Sequence, residues 1–170
     1  MDAMEALKTR RSIRAFTGRP VSLDLVRDLI NAAMQAPSAG NEQPWHFIII
    51  TDRDLLDRIP EYHPYAGMLA ETSVAVLICG DPRLEKHEGM WVQDCAAATQ
   101  NLLLAAHAKG LGAVWVGVHP REDRIEPLRK LFELPEAIVP FALIPLGHPA
   151  ERPEPEDRFR PELIHMNRWS

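Results

Sequence analysis

The segment Arg10-Arg11-Ser12-Ile13-Arg14 sets three guanidinium groups and a hydroxyl within five residues of a chain that is acidic overall, with 19 Lys and Arg against 24 Asp and Glu. Arginine forks grip phosphate oxygens two at a time and a serine hydroxyl adds another short donor, so the pattern suits a phosphomonoester dianion. It equally fits a solvated basic run at a helix end, where cations meet the negative pole of the helix dipole. A second polar segment, Pro37-Ser38-Ala39-Gly40-Asn41-Glu42-Gln43-Pro44, is closed by proline at both ends. It offers Ser38, Asn41 and Gln43 as hydrogen-bonding side chains, with Gly40 open to unusual backbone angles. It reads as a grip on the polar edge of a ligand, or as a turn whose Ser and Asn bond their own backbone.

Other chemistries find less support. His46, His63, His87, His107, His119, His148 and His165 are scattered, with no H-E-x-x-H pair and no Cys/His cluster, so no metal site is expected. Gly110-Leu111-Gly112 lacks the helix-opening glycine of a dinucleotide fingerprint. No nucleophilic triad or acid/base dyad is recognisable. Cys79 and Cys95 lack C-x-x-C spacing and read as two buried free thiols. The net charge of −5 gives no general footprint for nucleic acid or anionic membrane. The longest apolar runs, Val74 to Cys79 and Leu102 to Ala106, fall far short of the ~20 residues of a membrane span. With no apolar stretch behind a basic start, no secretory signal is read and a cytoplasmic location is expected.

The elements that must position these residues follow from periodicity. At 170 residues, 46% hydrophobic and 25% charged, one folded domain over residues 1–170 is expected. Residues 2 to 10 read as a short helix. Ser22 offers an N-cap to a second, whose Leu25, Leu29 and Ala33 recur beside Val26, Ile30 and Met34 and stop before Pro37. Four short apolar runs, His46 to Ile50, Ser73 to Gly80, Ala113 to Val118 and Val139 to Leu146, read as buried strands of one sheet. Helices are expected over Asp52 to Ile59, Gly89 to Lys109 and Arg121 to Phe132. This alternation by itself suggests a parallel doubly wound sheet. From Cys95 to Ala108 the chain is apolar nearly all round, which points to a helix at the centre of a homodimer, or simply to a central helix. The tail 149–170, interrupted by Pro149, Pro153, Pro155 and Pro161, is expected to drape over a surface such as the partner subunit's.

Taken together, the Arg10 to Arg14 run, Pro-Ser-Ala-Gly-Asn-Glu-Gln-Pro-Trp beginning 27 residues after Arg10, Asp94 to Asn101, Gly110 to Gly117, Leu146-Gly147-His148-Pro149 and Arg158 resemble the nitroreductase family in order and spacing. The resemblance spans nearly the whole chain. It implies an α+β fold with a central mixed β-sheet flanked by helices, in an intertwined homodimer with an extended C-terminal tail. It also implies FMN at the dimer interface, reduced by NADH or NADPH and reoxidised by a nitroaromatic, quinone or similar electrophilic acceptor in a ping-pong cycle.

By the same resemblance Arg10, Ser12 and Arg14, with Arg11 partly through its backbone, hold the ribityl chain and phosphate, and Arg158 completes the phosphate clamp. Arg160 reads better as a solvent-facing charge. Pro37, Ser38, Ala39 and Asn41 resemble the segment that reaches across from the other subunit, with Gln43 supporting the loop and Trp45 packing. Trp115-Val116-Gly117-Val118 resembles the strand end beside the flavin ring, with the Gly117 N–H at flavin N5. Glycine there removes a side chain from a place expected to be crowded. Since flavin carries the redox chemistry, no side chain need act as a nucleophile. Trp91 and Tyr65 are candidates to line the acceptor pocket, or core aromatics.

The chain is short for that family. Pro64 and Gly67 fall near positions where longer members offer Asn and Lys to the flavin, so an open, permissive pocket is expected. Other readings are a flavin-storing module, a relative performing reductive dehalogenation or flavin breakdown, and a cofactor-free interaction protein.

Overall fold

The computed structural model describes residues 1–169; Ser170, the end of the expected tail, lies outside them. The helices are α1 (Ala3–Thr9), α2 (Leu23–Ala33), α3 (Arg53–Tyr62), α4 (Trp91–Ala108) and α5 (Glu122–Leu131). The strands are β1 (Trp45–Ile50), β2 (Val74–Gly80), β3 (Gly112–Ala113), β4 (Val116–Gly117) and β5 (Val139–Gly147). Local chemistry sets several boundaries. Ser22 Oγ accepts from the Leu25 N–H to start α2, and Asp52 caps α3 in the same way. The third apolar run is cut at Val114-Trp115 into two short strands.

The sheet order is β1-β2-β5-β3, with β4 also on β5. Every strand pairing among the described residues is antiparallel, which corrects the parallel sheet suggested by alternation; the helix-flanked central sheet implied by the resemblance is present, with no parallel pair within the chain. The register gives the reason. Ile50 at the end of β1 stands opposite Ala75 at the start of β2, so the chain leaves the sheet along α3 and returns over residues 63–73 to the end it left. Periodicity counts strands, but it does not reveal how often a connection crosses the sheet.

Strand alternation divides the interior between the two sheet faces. Val74, Val76 and Ile78 of β2 and Ala142, Ile144 and Leu146 of β5 face α2 and α4. Ala75, Leu77, Cys79 and Leu143 face α3 and α5, with Val114, Val116 and Val118 beside them. All seven residues of β2 are buried, as a strand covered on both faces requires. Both cysteines are buried free thiols, and burial pushes each thiol up to about 12. Among the described residues no helix is long and apolar enough to cross a membrane.

Candidate functional site

After α1 the chain runs beside β3 and the end of β5. The Ile13 N–H donates to the Ala113 carbonyl at 3.0 Å, and Phe16 bridges Pro149. The buried Ile13 and Phe16 side chains lie against Gly112 and Gly147, where an added Cβ would come within 2.7 Å of either one. Glycine at both positions therefore lets the run lie this close. With Ile13 turned inward, Ser12 is half-buried and Arg14 exposed.

Arg10, Arg11 and Arg158 line one cavity of about 540 Å³ together with Lys8, Glu156 and Phe159. Partial burial, and then the charges of Arg11 and Arg158, hold the Arg10 guanidinium below its ordinary value. Arg158 pairs with Glu156 at 3.3 Å in an exposed position. The Arg11 side chain is committed otherwise: it donates to the carbonyls of Lys8, Arg10, Glu154 and Glu156 and so ties the tail to α1. Arg14 stands apart, on a second cavity of about 470 Å³ with Pro64, Tyr65, Gly67, Met68 and Glu71. Its backbone N–H and that of Ala15 both donate to Glu151 Oε1, which holds that carboxyl below its usual range. Arg160 is exposed at the start of a short 3₁₀ turn.

In the Pro37 to Pro44 loop Ser38 bonds the loop's own backbone, while Asn41 meets the Gln43 side chain. Ser38 Oγ accepts from the Gln43 N–H at 3.1 Å, and Gln43 Nε2 donates to Asn41 Oδ1 at 3.0 Å. Gly40, Asn41 and Gln43 all take left-handed φ, at 53°, 55° and 48°. These bonds leave the Ser38 hydroxyl hydrogen and the Asn41 NH₂ for an outside acceptor. The loop is braced from behind: Ala39 N–H donates to Asp94 Oδ1 at 3.0 Å, Lys86 Nζ to the Gly40 carbonyl at 2.7 Å, and the Lys86 N–H to Glu42 Oε2 at 2.7 Å. Glu42 and Asp94 are both buried and interact. Burial and the Glu42 carboxylate push Asp94 up, while the Lys86 N–H holds Glu42 down, so of the two carboxyls Asp94 is the more readily protonated.

Around β4, Val116 and Val118 are buried and Trp115 is partly exposed, its ring edge-on to Phe141. A Cβ built on Gly117 would meet no atom of this chain within 4 Å beyond its immediate neighbours. The Val118 N–H donates to the Phe141 carbonyl at 3.2 Å, and antiparallel alternation then turns the N–H and C=O of Gly117 away from β5. On that edge His63 Nε2 and Arg124 Nη1 each approach the Gly117 carbonyl at 2.8 Å. Sequence reasoning missed both residues. Neither belongs to a motif, and a histidine 54 positions from its partner leaves no periodic trace.

Trp91 is a core residue: it is buried over Gly80, with its ring edge-on to His119 and Phe141. Trp45 is buried as packing. Tyr65 is exposed on the Arg14 cavity, and Arg124 lies 5.6 Å above its ring. Among the described residues no group of three or more His, Cys, Asp or Glu is placed to hold a metal.

The Arg10 run and the Pro37 loop thus sit at opposite edges of the sheet, one beside β3 and the other leading into β1. Three strand spacings, about 14 Å, lie between these edges.

Comparison with known proteins places this geometry. The family model described as the nitroreductase family matches residues 7–71 and 62–148. A protein of Methanothermobacter thermautotrophicus, provisionally named NADH dehydrogenase/NAD(P)H nitroreductase, is 53% identical over 169 residues, covering 99% of this chain and 88% of its own. A Parabacteroides distasonis structure with the same provisional name superposes with a TM-score of 0.94 at 44% identity, over 98% of both chains. A provisionally named nitroreductase of Desulfovibrio desulfuricans, solved in complex with FMN, gives 0.85 at 33% identity over 100% of this chain and 99% of its own. The match runs through the arginine segment, the proline-bounded loop and the strand carrying Gly117, and on that ground the chain belongs to the nitroreductase family.

Proposed function

We propose that this chain is an FMN-dependent oxidoreductase, working as a homodimer, that takes hydride from NADH or NADPH and passes it to nitroaromatic, quinone or similar electrophilic acceptors in alternating half-reactions. The observation that carries the reading is the convergence of Arg10 and Arg158 on one cavity, where burial and then the neighbouring like charges depress Arg10. Such a cluster in an acidic chain fits a dianion, and a phosphate with bidentate acceptors matches the guanidinium fork. The FMN complex of the Desulfovibrio relative supports the choice of phosphate ester.

FMN would supply the redox chemistry, its N5 accepting hydride from nicotinamide and returning it to the acceptor. The residues present fit it. Arg10 and Arg158 would hold the phosphate, while Ser12, Arg14 and the Arg11 backbone follow the ribityl chain toward the Tyr65 cavity. Trp115, Val116, Gly117 and Val118 would flank the ring, where the open space at Gly117 leaves room for a flat group. The Gly117 N–H, turned off the β5 ladder, would be the donor to the reacting atom. Because the Pro37 loop lies across the sheet from the arginines, Pro37, Ser38, Ala39, Asn41 and Gln43 would reach the flavin of the other subunit. Exposed Phe159, Leu163, Ile164 and Met166 in the tail supply apolar surface for that partner. The acceptor cavity beside Tyr65 is bordered by Pro64 and Gly67, neither with a long side chain, which favours broad acceptor choice.

The test is the visible spectrum of freshly purified protein before and after anaerobic NADPH, then NADH. A flavin spectrum bleached by either nucleotide is expected. Colourless protein that takes up no added FMN would overturn the reading.

A further inference from the structure

The carbonyl of Gly117 receives two donors from outside its own strand, His63 from the turn after α3 and Arg124 from α5. A carbonyl has two acceptor sites, and both are used here by side chains instead of by a neighbouring strand. This occurs at a residue whose N–H and C=O leave the β5 ladder toward the outer edge of β4. We infer that His63 and Arg124 form a clasp that fixes the Gly117 backbone, so that its N–H is held in the direction the flavin must meet. The inference rests on the assignment of Gly117 to the flavin and names two positioning residues which that assignment lacks.

The hydrogen bonds determine the state of the histidine. Tyr65 N–H donates to His63 Nδ1 at 3.3 Å, so Nδ1 is an acceptor and the single ring proton sits on Nε2, pointing at the Gly117 oxygen. A neutral imidazole satisfies both bonds. A second proton would set Nδ1–H against the Tyr65 N–H, and burial together with the nearby Arg124 charge also lowers the His63 pKa. Arg124 adds a charge-assisted bond from the other side, and its position over Tyr65 links the clasp to the wall of the Arg14 cavity. Arg124 Nε is buried with no partner among the described residues, so this guanidinium is not placed to satisfy all its own donors. It is placed to reach one carbonyl.

Because His63 is neutral, its removal changes geometry without removing charge from the flavin's surroundings. That makes His63→Leu the informative variant. With [¹⁵N]glycine labelling, the chain's nine glycines give few enough amide signals to assign Gly117. In the wild type the Gly117 amide resonance should move when FMN is added. In His63→Leu, loaded with FMN as judged by its visible spectrum, that movement should be lost or reversed. Hydride transfer from NADPH in a stopped-flow measurement should slow by about tenfold, the worth of roughly one hydrogen bond. His63→Gln, which carries a donor at a similar reach, should restore both. An unmoved wild-type Gly117 signal with FMN bound overturns the flavin contact and the clasp together. A wild-type response that His63→Leu reproduces in full, at an unchanged rate, overturns the clasp alone. If His63→Leu yields no folded protein, Arg124→Met removes the other donor to the same oxygen and is read in the same way: a lost amide response supports the clasp and a full one overturns it.

Discussion

The Arg10 to Phe16 run and the Pro37 to Pro44 loop are both polar, both irregular, and both proposed to meet one ligand, yet they are held in opposite ways. The first is anchored by apolar side chains, with Ile13 and Phe16 in the space left by Gly112 and Gly147, and by backbone bonds to Ala113 and Glu151, so the Arg10, Ser12 and Arg14 side chains need not support the backbone. The second is anchored by its own polar groups. Ser38, Asn41 and Gln43 bond one another across three left-handed residues, and Asp94, Glu42 and Lys86 hold the loop from behind. The difference teaches what each can offer. Apart from Arg11, whose side chain ties down the tail, the run presents the charges of Arg10 and Arg14, which contribute affinity for an anion. The loop presents a fixed shape with a few remaining donors, which contributes orientation.

The largest effect should come from removing the charge. Arg10→Ala combined with Arg158→Ala deletes two charge-assisted partners worth about 1.5–3 kcal/mol each, so FMN binding should weaken by roughly 10²- to 10⁴-fold. Fluorescence titration of the apoprotein with FMN measures this, and circular dichroism should show the fold retained. Unchanged affinity would remove the distinction, because the run would then be structural like the loop.

A smaller effect tests the apolar anchor. In Gly112→Ala the new Cβ would meet Ile13 Cγ2 at 2.7 Å and Ile13 Cβ at 2.9 Å. An atom so close to the backbone of the run cannot swing aside, so overpacking should cost about 1–3 kcal/mol in thermal or denaturant unfolding. Gly67→Ala, where an added Cβ meets nothing within 4 Å, should stay within about 0.5 kcal/mol of the wild type. Equal losses in the two variants would mean that the notch at Gly112 does not anchor the run.

These contrasts show which parts of the molecule were legible in its sequence. The start of α2 was readable from Ser22 and the apolar recurrence behind it, because caps and stripes are local. The arginine run and the loop stand out as candidates because their side-chain types cluster along the chain. Strand direction was not readable, since the return over residues 63–73 carries no apolar period. Nothing in the sequence marks the Arg11 side chain as a tie to the tail, because two of its partners, the carbonyls of Glu154 and Glu156, lie far along the chain. His63 and Arg124 meet at Gly117 only through tertiary packing, and Arg124 looks in sequence like any charged residue early in an amphipathic helix.

The smallest expected effect is the most specific to the loop, because it separates the bond to Ala39 from the charge of the group that makes it. Asp94→Ala leaves the Ala39 N–H without its acceptor and leaves Glu42 only its backbone donors, and should cost about 1–2 kcal/mol. Asp94→Asn keeps an oxygen for Ala39 and supplies an NH₂ to Glu42, so it imitates the protonated acid at every pH. Since the folded protein holds the Asp94 pKa above its ordinary value, the wild type has its full stability contribution from this group below that ordinary value. It loses that contribution as pH rises toward the folded value, when Asp94 ionises against the Glu42 carboxylate. The unfolding temperature of Asp94→Asn should therefore gain on the wild type as pH rises above the ordinary aspartate range, and the gap should level off once Asp94 is ionised in the fold. A gap that stays constant with pH would show that no proton is held between the two carboxyls. The loop would then be braced by the Ala39 and Lys86 hydrogen bonds alone.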